Sequence, residues 1–119
     1  MGHGALIAEA LCACAATGVD IQKFYEVVSA GGADSGIFQL IVPKAMKGDP
    51  SGLKFSLPNA AKDLGYYTRL TDGAQLTGPI GKAIHHAFVQ GMKLGFEDGY
   101  VGSLIDAQAK LNRIDIIDS

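Results

Sequence analysis

Ile80, Ile84, Phe88, Met92 and Phe96 recur at four-residue steps, a spacing that only an α-helix gathers into one apolar stripe. The rest of the chain repeats that period. Ala5 to Ala16 is apolar at Leu6, Ile7, Ala10, Leu11 and Cys14, and Gly18 stands where a helix-ending glycine belongs. Asp20 is placed to cap a second helix with Ile21, Phe24, Val27 and Val28 inward, stopped by Gly31-Gly32. Asp34 or Ser35 opens a third, with Ile37, Leu40, Ile41 and Ala45 inward, and Pro43 predicts a kink or an early end there. Gly48-Asp49-Pro50-Ser51-Gly52 is a turn by composition. Pro58 and Pro79 each sit in the first turn of a further helix, where proline loses no hydrogen bond. The first of these runs through Lys62, Leu64, Tyr67 and Leu70 to Asp72-Gly73. Glu97-Asp98-Gly99 breaks the second, and a last helix holds Leu104, Ile105 and Leu111 before a short tail from Arg113 that is expected to fray. No useful strand alternation and no repeat period occur. The expectation is one all-α domain over residues 1–119, with about six helices and no sheet.

Composition narrows what such a domain can do. The chain has 119 residues, enough for a core without staples. Only 18 % of them are charged, against about 25 % in an average domain, so some outer surface is expected to be covered by a partner. A net charge of −2 without any basic run gives no case for nucleic acid. No apolar run approaches the roughly 18–20 residues of a membrane span, and Met1-Gly2-His3-Gly4 does not read as a secretory signal. Cys12 and Cys14, two apart on a helix, are not placed to pair or to share a metal. They read as buried free thiols, which points to a reducing, cytoplasmic compartment.

Few residues signal chemistry. His85 and His86 are consecutive, whereas metal ligation wants three- or four-residue spacing with further ligands, so no metal site is expected. There is no Gly-x-Ser-x-Gly, no P-loop and no Gly-x-Gly-x-x-Gly. Tyr66 and Tyr67 read as an aromatic pair at the core edge with one hydroxyl outward, and Gly31 to Ser35 as a connection between helices. Lys62 and Asp63 are more informative. One residue apart, they diverge by about 100° on a helix and cannot pair as i,i+4 residues do. Each must find another partner or stand solvated, Asp63 favoured near the helix N-terminus.

The segments Ala8-Glu9-Ala10-Leu11, Gly18-Val19-Asp20, Val27-Val28-Ser29-Ala30-Gly31 with Ser35, Phe55-Ser-Leu-Pro-Asn-Ala-Ala-Lys62-Asp63-Leu64-Gly65, Thr77-Gly78-Pro79-Ile80 and Gly95-Phe96-Glu97-Asp98 occur in that order. Together they resemble, over essentially the whole chain, the C-terminal helical domain of the β-hydroxyacid dehydrogenases. That family includes 3-hydroxyisobutyrate dehydrogenase and tartronate semialdehyde reductase, and the fold is the helical bundle also found in the C-terminal domain of 6-phosphogluconate dehydrogenase.

The resemblance implies an N-terminal Rossmann domain holding NAD or NADP, and substrate bound between the domains. It also implies a homodimer, or a larger assembly, built largely on the helical domain. By this likeness Lys62 contacts the cofactor near its nicotinamide ribose or backbone, Asp63 orients the site and its catalytic lysine, and Phe55 lines the substrate cleft. The family's acid/base lysine and its asparagine precede the position of Glu9 by more than a dozen residues, and neither has a counterpart here. The expectation is therefore a piece of such an enzyme, cut within its linking helix and inactive by itself. The alternative from another class is a free-standing helical self-association module without catalysis.

Overall fold

The computed structural model describes residues 1–117. The described residues form six α-helices: α1 (Gly2–Thr17), α2 (Ile21–Ser29), α3 (Gly36–Ala45), α4 (Leu57–Gly73), α5 (Pro79–Gly91) and α6 (Leu104–Asn112). Short 3-10 turns at Pro50–Gly52 and Val101–Ser103 and a π-helical turn at Met92–Phe96 complete it. The described residues contain no strand, only an isolated bridge between Ser56 and Tyr100. The fold is all-α.

Local chemistry sets most boundaries where the sequence places them. Gly18 adopts φ 78°, the left-handed conformation, and its region returns two N–H groups to the last turn of α1. Asp20 accepts from the Gln22 N–H at 2.9 Å and opens α2. Of the two candidates for opening α3, Ser35 is the cap, accepting from the Phe38 N–H at 3.0 Å. Pro43 lies inside α3, which ends two residues later at Ala45. Asp49 accepts from both the backbone N–H and the hydroxyl of Ser51, which holds its carboxyl below the usual carboxylate range.

The core is built from α1, α3 and α6 closed over by α4 and α5. Leu11, Val42, Leu57 and Phe88 are fully buried at its centre. Cys12 and Cys14 are buried free thiols, and burial pushes the Cys14 thiol up. Two backbones touch nearly directly at the α3 end: a Cβ on Gly52 would collide with the Leu40 carbonyl, and one on Gly102 with that of Pro50. Glycine at these positions lets the two 3-10 turns and α3 meet.

Several expected inward faces are rotated. Val27 is 72 % exposed and Leu40 is 48 % exposed. Tyr25 and Phe38 take their places, stacked at 5.8 Å between centroids and 9° between planes. Their rings carry more apolar area than Val27 and Leu40, so each helix turns to bury the aromatic residue. The α5 stripe is also split: Phe88 is fully buried while Ile80 is 76 % exposed. Four-residue steps advance about 40° each on a helix, so the four steps from Ile80 to Phe96 sweep well beyond one contact face. The helical winding passes into the π turn at Met92 and breaks at Gly95, φ 109°, ahead of the expected Glu97. Lys110 of α6 donates to the Leu94 carbonyl there, at 2.7 Å.

The tail from Arg113 is packed, not frayed, as far as it is described. Ile114 N–H returns to the Ala109 carbonyl at 3.0 Å and Ile116 is buried in the core. Ile114, Ile116 and Ile117, beyond the last helical turn, supply the apolar area that holds this segment down. Asp118 and Ser119 lie outside the described residues.

Candidate functional site

The start of α4 is held by three local devices. Phe55 and Leu57 pair with the segment 99–101: Leu57 N–H donates to the Gly99 carbonyl at 2.9 Å, and Val101 N–H to the Phe55 carbonyl at 3.0 Å. Between them Ser56 caps the helix, its hydroxyl accepting from the Asn59 N–H at 3.2 Å. Pro58 occupies the first turn. The helix therefore leaves a fixed point, and the rotation of every residue on it is set.

That rotation buries Ala60, Ala61, Leu64 and Gly65 and exposes Lys62 and Asp63 side by side. Asn59, Lys62, Asp63, Tyr66 and Leu70 fall on one outer face by their three- and four-residue spacing. The ion pair found among the described residues, Lys82 to Asp72 at 3.2 Å, involves neither Lys62 nor Asp63. Phe55, half-buried, packs against the core just ahead of the cap. The structure thus places Phe55, Lys62 and Asp63 at one end of one helix, with both charges open to solvent.

The tyrosines differ from the core-edge pair read in the sequence. Tyr66 and Tyr67 are both about half exposed, at 55 % and 49 %. The Arg69 guanidinium lies 4.9 Å over the Tyr66 ring, whereas the Tyr67 ring lies across Gly81 of α5. His85 is half-buried against Gly65 and His86 is exposed. No group of three or more His, Cys, Asp or Glu side chains among the described residues is arranged to hold a metal ion.

Two sizeable grooves lie elsewhere. A groove of about 770 Å3 runs between α1 and α5, lined by Leu6, Ile80, Ala83 and Ile84 with Glu9 at its edge. A second, of about 500 Å3, lies at the α1–α2 turn beside Ile116. Sequence periodicity does not reveal the first, because by their spacing Leu6 and Ile80 belong to inward stripes.

The chemistry offered at the start of α4 suits one side of a nicotinamide dinucleotide. The Lys62 ammonium has donors to spare for ribose or phosphate oxygens, Asp63 can accept from a hydroxyl or an ammonium, and the Phe55 ring offers an apolar wall. The family model described as "NAD-binding of NADP-dependent 3-hydroxyisobutyrate dehydrogenase" matches residues 1–104, and the chain belongs to that family. No curated protein matches the chain. It is thus a member of a dehydrogenase family whose enzymes use NAD or NADP. None of the described helices is long and apolar enough to cross a membrane.

Proposed function

We propose that the chain is the C-terminal helical domain of an NAD(P)-dependent β-hydroxyacid dehydrogenase, forming one wall of the cleft between it and a Rossmann domain. The observation that carries this reading is the exposure of Lys62 and Asp63, without ion-pair partners among the described residues, in a chain of this family. The nicotinamide supplies hydride transfer at the carbinol carbon of a β-hydroxyacid or at the matching semialdehyde. Lys62 donates hydrogen bonds to the dinucleotide. Asp63 accepts one from the acid/base lysine of the parent enzyme and so orients it. Phe55 shapes the cleft and keeps water from the reacting carbon.

The same reading gives the outer surface a purpose. Leu6, Leu70 and Ile80 are 63 %, 68 % and 76 % exposed, and residues of this kind cover a second subunit or the Rossmann domain in a homodimeric parent. A cytoplasmic enzyme also accords with Cys12 and Cys14 remaining unpaired. By itself the chain has no acid/base lysine, whose removal costs about 10²–10⁴ in rate, and it is expected to be inactive.

The test is Lys62→Ala in the parent enzyme, read as equilibrium binding of NADPH and NADH by fluorescence. A loss of about tenfold, equivalent to about 1.4 kcal/mol, with an unchanged circular dichroism spectrum is expected. Unchanged affinity for both nucleotides would remove the role given to Lys62. The exposed apolar residues also fit a self-association module without enzymology. Sedimentation separates the two, because a module would assemble identically in a parent lacking any nucleotide site.

A further inference from the structure

α1 has a composition that a solvated surface helix does not. Its 16 residues include one charged side chain, Glu9, and a helix apolar all round belongs in an interior. Yet α1 is covered on one side only. Ile7, Leu11 and Cys14 are buried against the other helices, while His3, Leu6, Glu9, Ala13 and Ala16 are exposed. The outer faces of α2 and α4 differ, with Gln22, Lys23 and Glu26 on the one and Lys62, Asp63, Arg69 and Asp72 on the other. Those faces are built for water. The outer face of α1 is not, and beside it Leu6 and Ile80 line the apolar α1–α5 groove.

His3, Leu6 and Glu9 form one three-residue row on this face, and rows of that spacing run at about 45° to the helix axis. The row is self-complementary. When it is laid against the same row of a second chain running the opposite way, Leu6 meets Leu6 on a twofold axis, because it stands midway between the other two. Each imidazole then meets the carboxylate of the other copy, and the two helices cross at about 90°. Gly2, Ala5 and Ala10, the small residues around Leu6, leave room for that approach. Within one chain neither polar group is matched. Glu9 enters no ion pair and no side-chain hydrogen bond among the described residues. His3 Nδ1 lies 3.3 Å from Ser35 Oγ, and that oxygen already accepts from the Phe38 N–H. The Ser35 hydroxyl therefore donates to Nδ1, which puts the proton of the neutral ring on Nε2 and leaves that N–H to be satisfied.

We propose that the outer face of α1 receives a second copy of this chain, α1 crossing α1 at Leu6 with His3 Nε2 donating to the carboxylate of Glu9 in the other copy. A Rossmann domain would cover the apolar side chains, but it gives no reason for a donor and an acceptor set symmetrically about a leucine. An isologous contact requires that arrangement. The proposal rests on the homodimer of the parent enzyme named above and supplies its contact, and it draws nothing from the nucleotide. A chain that pairs in this way without NADPH binding, or binds NADPH without pairing, tells the failure of one reading from that of the other.

The experiment is sedimentation equilibrium of the 119-residue chain, with circular dichroism to check that each variant keeps its helices. A monomer–dimer equilibrium is expected. Leu6→Glu is expected to weaken it at least about tenfold, since two carboxylates then face each other across the axis. His3→Glu sets like charges opposite and should weaken it about fivefold, and adding Glu9→Lys should recover most of that loss. Leu70→Glu, exposed on α4, should change nothing. The axis at residue 6 also predicts that Leu6→Cys, oxidised with diamide, gives a disulfide-linked dimer. Ala13→Cys should not, because the crossing carries the two copies of residue 13 beyond the roughly 4.4–6.8 Å between Cα atoms that a disulfide spans. A chain that stays monomeric, a dimer indifferent to Leu6→Glu or equally weakened by Leu70→Glu, or a Leu6→Cys chain that resists cross-linking would overturn the proposal.

Discussion

The two sides of α4 carry similar numbers of large side chains and meet opposite fates. Toward the core, Leu57 and Leu64 are buried against Phe88 and the other helices; away from it, Tyr66 and Leu70 are 55 % and 68 % exposed. Both sets recur at helical spacing. The difference lies in what stands opposite: α5 and the turns flanking it cover one side, and nothing within the described residues covers the other. An apolar period therefore says that a helix has faces. It does not say which face is closed by the same chain, and at the outer face the polar neighbours Lys62, Asp63 and Arg69 mark a surface meant for something other than the core.

Substitutions that break this contrast should differ in size accordingly. Phe88→Ala empties the centre of the buried side and is expected to cost about 3–5 kcal/mol, read as a lower urea midpoint with little change in slope. Gly102→Ala, which drives a Cβ into the Pro50 carbonyl, should cost about 1–3 kcal/mol by forcing apart the turns at the α3 end. Equal stability in that variant would mean the two turns are not locked together. Ser56→Ala removes the cap that sets the rotation of α4 and should cost about 1 kcal/mol in thermal unfolding. Leu70→Ser on the outer face is expected to stay within about 0.5 kcal/mol. A larger loss there would show that the exposed side is covered in the isolated chain, by self-association, and would erase the distinction between the two faces.

Much of the fold was legible in the residues. Gly18, Asp20, Pro58 and Pro79 fix helix ends through conformations and hydrogen bonds available to only a few side chains, so they read true without any tertiary knowledge. Rotation about a helix axis was less legible. Val27 and Leu40 face inward by period, yet the stacked rings of Tyr25 and Phe38 displace them, and that contact joins residues from two helices. The packed tail shows the same limit, since the burial of Ile116 depends on a cavity edge formed by α1 and α2.

The site divides in the same way. Lys62 and Asp63 were visible as adjacent charges that helix geometry forbids from pairing, and the cap and bridge around Ser56 hold them at an open helix end. The row of His3, Leu6 and Glu9 could not be found so. Leu6 belongs by its spacing to an inward stripe, and only the helices packed on the other side of α1 leave the row outside.

By itself the sequence determined the helices, their ends and the solitary status of Lys62 and Asp63, because capping, proline geometry and the 100° step act within a few residues. Only the tertiary structure decided which faces were buried and that His3, Leu6 and Glu9 stand together on the uncovered side of α1. Those depend on the register between separate helices, which is set by the packing of aromatic rings and glycines that the chain brings together only once folded.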